Sequence, residues 1–188
     1  MKIISVNRSL TQPVNPLAHI SIIPDSAMIR DGKPFFIPGF SQKWEFQASI
    51  AFRVKRLGKK ISSRFAHRYY DAIALAVNTI PIDVISNGQP ISATYNAFDG
   101  AFIIGDWIEL NQLNECHTLT INLDGKEIEI DMTHLAIDDT IASISQFITL
   151  KIGDIITPAI IPIRNEIKIN TIIEGSINNT PNIKLKFK

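Results

Sequence analysis

"KWEFQASIAFRV", residues 43–54, decides how this chain is read. Its mix of apolar and polar residues describes a β-strand, and on a strand Glu45 and Gln47 point to one face because successive side chains alternate. A glutamate and a glutamine thus stand side by side where two carboxylates would make a metal clamp. Outward from this stretch, isoleucine supplies roughly one residue in five, a β-branched excess that favours pleated structure. The runs "TLTINLDGKEIEIDM", "GDIITPAIIPI", "NEIKINTII" and "NIKLKFK" are bounded by Gly, Asn, Asp or Pro, the punctuation of strands and turns. Asp124-Gly125 lies between two alternating segments and predicts a tight hairpin. The closing "IKLKFK" alternates lysine with apolar residues, as an edge strand guarded by charge does.

Two helices are expected. In "SSRFAHRYYDAIALAV", residues 62–77, Ser62 or Ser63 can cap, and Phe65, Tyr69 and Ile73 follow at four-residue spacing. In "DDTIASISQFITL", residues 138–150, Asp138 or Asp139 can cap, and Ile141, Ile144 and Ile148 form one face. The segment from Pro13 to Pro38 reads as an irregular lead-in. With 188 residues, 45% apolar and 20% charged, the chain is expected to form one domain, residues 1–188, around one core. A net charge of +1 gives no global bias toward nucleic acid or acidic lipid. No apolar run approaches membrane-spanning length, so a cytoplasmic protein is expected. The single cysteine, Cys116, excludes an internal disulfide and suits a reducing compartment and a packing role.

Several polar clusters invite a functional reading and have a plainer one. His67, Arg68, Tyr69, Tyr70 and Asp71 are consecutive on the expected helix and point in different directions. Cys116 and His117 would face opposite sides of a strand. "RVKRLGKK", residues 53–60, has no interleaved aromatics, so a solvated strand leading into a turn at Gly58 is expected in place of a nucleic-acid site. Asp131, His134, Asp138 and Asp139 are expected to be caps and solvated loop residues.

The stretch from "PDSAMIRDGKPFF" through "KWEFQASIAFRV" to "HRYYDAIALAVN", followed by "NAFDG" (96–100), "LKIGDII" (150–156) and "IIEG" (172–175), resembles the fumarylacetoacetate hydrolase family. The resemblance implies an α+β fold, predominantly mixed β, with two short helices. It also implies a family chemistry in which a divalent cation, usually magnesium, is held by three carboxylates. The metal acts as a Lewis acid on a dicarbonyl substrate during hydrolysis, decarboxylation or tautomerisation.

Carried over residue by residue, the family's metal ligands fall on Glu45, Gln47 and Asn78, so two of the three acids are amides here. Each lost anion removes on the order of several kcal/mol of attraction for such an ion. The family's arginine position is Ile82 and only Asp83 after it is kept. Its substrate lysine is Asn96, its glycine-threonine-proline loop falls on "AIIPI" (159–163, with Ile160 and Ile161), and its lid falls on "LTQPVNPL", with Pro13 and Pro16 in place of proton-transfer residues. The lysine before "PD" is Ile23. The expectation is therefore a degenerate, empty metal site with no catalytic residues, a former substrate pocket at Ile82, Asp83, Asn96, Ile160 and Ile161, and no cofactor. Such a chain would be an inactive homologue retained for binding or structure, as a homodimer or as a heterodimer with an active paralogue. The alternative is a weak magnesium-dependent hydrolase, decarboxylase or tautomerase of dicarbonyl acids. A third reading is a small-molecule binding protein using a remodelled, more apolar pocket.

Overall fold

The computed structural model describes residues 1–14, 20–30, 32–85, 95–113 and 117–188. The expectations attached to Pro16 and Cys116 lie outside these residues. Thirteen strands occur among the described residues: β1 (Lys2–Val6), β2 (Ile20–Pro24), β3 (Met28–Ile29), β4 (Trp44–Val54), β5 (Tyr70–Pro81), β6 (Phe102–Ile104), β7 (Ile108–Glu109), β8 (Thr118–Leu123), β9 (Lys126–Asp131), β10 (Ile155–Thr157), β11 (Ile160–Glu166), β12 (Ile172–Ile177) and β13 (Thr180–Lys186). Among the described residues helices are few and short: α1 (Ser63–Ala66), α2 (Ile82–Ile85) and α3 (Ile137–Ile144). None is long and apolar enough to cross a membrane. The fold is α+β and predominantly mixed β, with β1–β10 and β3–β6 parallel and the other pairs antiparallel.

The larger sheet runs β2-β1-β10-β4-β5-β6-β3, with β11 also on β4 and β7 also on β5. Its centre is the long antiparallel pair β4–β5, paired from Trp44↔Pro81 to Val54↔Tyr70. This pair corrects the helix expected over residues 62–77. Only α1 forms there, after Ser62 and without a side-chain cap, and from Tyr70 the chain is a strand. Four-residue spacing of Phe65, Tyr69 and Ile73 suggested a helix, yet the residues that pack do so at period two. Ile73, Leu75 and Val77 enter the main core, while Ala74 and Ala76 face a second, smaller cluster with Ala51 and Phe102. Alanine's helix propensity is worth only tenths of a kcal/mol per residue over its neighbours, less than the pairing and two-sided burial of a central strand supply.

The smaller sheet, β13-β12-β8-β9, packs on the first. Asp124 and Gly125 both take positive φ (55° and 72°) and join β8 to β9, as the hairpin signal predicts. In this sheet β13 is an edge, with Lys184 and Lys186 exposed and Ile183 and Leu185 buried. Asn182 fastens the sheets together. Its side-chain oxygen accepts from the Leu75 N–H of β5 (2.7 Å), and its amide donates to the Asp106 carbonyl (2.7 Å). These bonds fill the gap that opens along β5 between β6 and β7. A side chain at Gly105 would overlap the Asn182 carbonyl, so only glycine allows this approach.

Helix α3 buries Ile141 and Ile144 as the spacing predicts, together with Ile137, but it ends at Ile144, so Ile148 packs against the core from beyond the helix. Its N-cap is Ala136 in the left-handed region, not an aspartate. Asp138 and Asp139 instead accept hydrogen bonds from Tyr70 Oη (3.1 Å) and Ser63 Oγ (2.6 Å), which tie the helix to the start of β5 and to α1.

Candidate functional site

Glu45, Gln47, Ser49, Ala51 and Arg53 share one face of β4. Because directly paired residues of neighbouring strands share a face, the register carries this face sideways into a row. Asn78 of β5 lies opposite Gln47 on one side and Arg164 of β11 on the other. One pleat further along, Glu45 is paired with Ile80 and Glu166. The chain thus brings Gln47 and Asn78 together and adds an arginine to them.

Each member of the row has a distinct role. The Gln47 amide nitrogen donates to the backbone carbonyls of Ile161 (2.6 Å) and Ile163 (3.2 Å). Carbonyl oxygens only accept, so the nitrogen end of this amide must face them. Arg164 Nε donates to a carboxylate oxygen of Glu45 in an ion pair across the two strands. The Arg164 Nη groups have no partner among the described residues, and neither has the Asn78 side chain.

Beside the row lies a cavity of about 100 Å³ lined by Ser5, Asn7 and Ser21 from the β1–β2 side, by Gln47, Asn78, Ile80, Ile160 and Arg164, and by Tyr95 and Asn96. The side-chain amides of Asn7 and Asn96 and the Tyr95 hydroxyl also lack protein partners among the described residues. Burial pushes the Tyr95 phenol above its ordinary pKa, and the nearby Arg164 charge opposes that rise. An adjoining cleft of about 460 Å³ shares Gln47, Ile160 and Arg164 and continues over Ser9, Leu10, Thr11, Ile161 and Pro162. A larger hollow, about 550 Å³, lies on the smaller sheet beside the exposed Glu174–Lys184 ion pair, away from this row.

Of the residues expected at the pocket, Gln47, Asn78, Asn96 and Ile160 line the cavity and Ile161 borders the cleft. Glu45 reaches the cavity only through its bond to Arg164. Ile82 and Asp83 open α2 and belong to neither lining. Asp83 accepts from Ser41 Oγ and from the Gln42 N–H (2.8 Å), which hold its carboxyl below the ordinary range and anchor the turn before β4. Arg164, Tyr95, Ser5, Asn7 and Ser21 escaped the sequence reading. Arg164 did carry a signal: with Ile161 and Ile163 fully buried, alternation puts Ile160, Pro162 and Arg164 on the opposite face.

The other polar clusters disperse. Asp131 accepts from Thr133 N–H (2.8 Å) and Oγ1 (2.7 Å) as a cap, and His67 and His117 are exposed. Arg53 is not a solvated charge as expected of residues 53–60. It pairs with Asp71 (2.8 Å) and Glu109 (2.7 Å) beside the Trp107 ring, and these carboxylates raise its pKa.

The donor set does not fit a divalent cation. No group of three or more His, Cys, Asp or Glu side chains placed to hold a metal occurs among the described residues. Glu45 already neutralises Arg164, and Gln47 turns its nitrogen to the β11 carbonyls. A divalent ion within about 5 Å of a guanidinium is repelled by on the order of 6 kcal/mol at an effective dielectric of about 20.

A family model described as "Fumarylacetoacetate (FAA) hydrolase C-terminal" matches residues 6–158. No curated protein matches the chain. Among solved structures, a fumarylpyruvate hydrolase from Pseudomonas aeruginosa in complex with Mn2+ and pyruvate superposes with a TM-score of 0.79 at 14% identity, over 99% of this chain and 88% of that one. A protein from Yersinia pestis CO92 assigned to the fumarylacetoacetate hydrolase family gives 0.83 at 17%, over 100% and 92%. A 5-carboxymethyl-2-hydroxymuconate delta-isomerase from Mycobacterium smegmatis gives 0.79 at 16%, over 99% and 78%. At such identities the superpositions speak for the fold alone.

Proposed function

The chain belongs to the fumarylacetoacetate hydrolase family, and from that membership we propose that it is a catalytically inactive member retained as a binding or structural protein. The observation that carries this reading is the double engagement of the former metal row: Gln47 is spent on the carbonyls of Ile161 and Ile163, and Glu45 on Arg164. A carboxylate already paired with a guanidinium and an amide facing carbonyls leave little negative potential for a hard cation. The proposal extends to one domain over residues 1–188, a cytoplasmic location, and association with a second copy or with an active paralogue, without nucleic acid or membrane. Light scattering on the purified chain tests self-association. Twice the chain mass is expected, and a strict monomer would remove the homodimer.

Isothermal titration with Mg2+ and Mn2+, followed by turnover assays on oxaloacetate and acylpyruvates, tests the central reading. No saturable binding in the submillimolar range and no turnover that chelation abolishes are expected. Stoichiometric submillimolar binding together with chelation-sensitive turnover would instead establish a weak metal-dependent enzyme of dicarbonyl acids.

A further inference from the structure

Resting on this reading of a pocket that works without metal, we propose that the cavity and cleft joined at Arg164 form a binding site for an aliphatic monocarboxylate. The guanidinium holds the head group, and the cleft wall of Leu10, Ile160 and Pro162 holds the chain.

Only Nε of Arg164 is engaged, by Glu45; both Nη groups remain without a partner among the described residues. A planar fork with free N–H groups suits a carboxylate. Around it stand neutral hydrogen-bonding groups that also lack protein partners, the Asn78 and Asn96 amides and the Tyr95 hydroxyl. Side chains of this kind, gathered on one small cavity, solvate an anion's remaining lone pairs without adding charge.

Size and polarity divide the site into two parts. The cavity's roughly 100 Å³ matches the liquid volume of about three waters, room for a head group and little more. The cleft's 460 Å³ falls in the range of small-molecule sites, about 300–1,000 Å³, and its walls are largely aliphatic. Glu45 decides between a monoanion and a dianion. Arg164 is the one cation among the described residues lining the two hollows and already shares its charge with Glu45, so a bound monoanion leaves the group at −1 and a dianion at −2, and the larger excess is disfavoured.

The experiment titrates the full chain, in EDTA, with straight-chain monocarboxylates from acetate to hexanoate by calorimetry, with inorganic phosphate as a comparison. Affinity is expected to rise about fourfold per methylene while the chain follows the cleft, and phosphate is expected to bind more weakly than hexanoate. R164Q should weaken hexanoate binding by about tenfold or more. E45Q should strengthen it severalfold, because the competing anion is gone, whereas any cation bound there would be weakened. Thermal unfolding of both variants verifies that they fold, and the opposite sign of E45Q keeps the assignment falsifiable if R164Q does not. No saturation at millimolar hexanoate, or equal binding by a folded R164Q, overturns the site. Absent binding without turnover sinks this site alone. Chelation-sensitive turnover sinks the inactive-member reading, while EDTA-resistant, Arg164-dependent binding would still establish the site.

Discussion

Replacing Arg8 with alanine is expected to destabilise the chain by about 3–5 kcal/mol, a fall in Tm of roughly 10 °C for a protein of this length. The Arg8 side chain is buried, at 5% exposure, and donates only to backbone carbonyls. Nε reaches Pro158 (3.3 Å), Nη1 reaches Ser9 (3.1 Å) and Gln12 (2.6 Å), and Nη2 reaches His134 and Leu135 (2.9 Å each). One guanidinium therefore satisfies the end of β1, the β10–β11 connection and the turn before α3. Burial lowers its pKa, but an arginine starts so high that it stays charged. Alanine would leave these carbonyls facing an empty, partly dry space, and orphaned buried acceptors cost more than their hydrogen bonds contributed. Arg8→Lys keeps the charge but not the fork, so an intermediate loss is expected. Thermal unfolding of the three proteins measures this. A drop below about 3 °C for the alanine variant would mean that water replaces the guanidinium at little cost.

Gln47→Glu is expected to cost about 2–3 kcal/mol at neutral pH, although it puts an acid where the family resemblance implies a metal ligand. The new carboxylate would face the Ile161 and Ile163 carbonyls with lone pairs against lone pairs. Turning it toward Arg164 would leave both carbonyls unpaired and take the partner from Glu45. Because its charged form is disfavoured in the folded state, its folded pKa would rise above the unfolded value. A raised acid binds more protons in the native state, so stability falls as pH climbs from the unfolded carboxylate pKa, about 4.3, through the raised folded value. The deficit relative to wild type should therefore shrink on acidification toward pH ~4. Gln47→Met loses the same donors without a charge, and its deficit should be flat with pH. Denaturant unfolding across that range tests the pair. A pH-independent Gln47→Glu deficit would show that the carboxylate escapes the carbonyls.

These two residues mark the limits of legibility. The placement of Gln47 was readable: alternation along residues 43–54 puts it beside Glu45 on one face. What it does there depends on which strand lies alongside, and β11 joins β4 through a register shift between Ile160 and Arg164. No local pattern encodes that shift. Arg8 looked like an ordinary polar residue after a short apolar run, and its importance comes from carbonyls up to 150 residues away in the chain.

From the order of residues alone came the β-rich class, the Asp124-Gly125 hairpin, the lysine-guarded edge at the C-terminus, and the shared face of Glu45 and Gln47. Each of these depends on neighbours within a few positions, where backbone geometry dictates which way a side chain points. Tertiary pairing alone decided that residues 70–81 are a strand, that Asn78, Gln47 and Arg164 form one row, and that Glu45 is paired with an arginine. Those outcomes rest on contacts between distant segments, whose burial and charge pairing outweigh the small local preferences a sequence pattern can register.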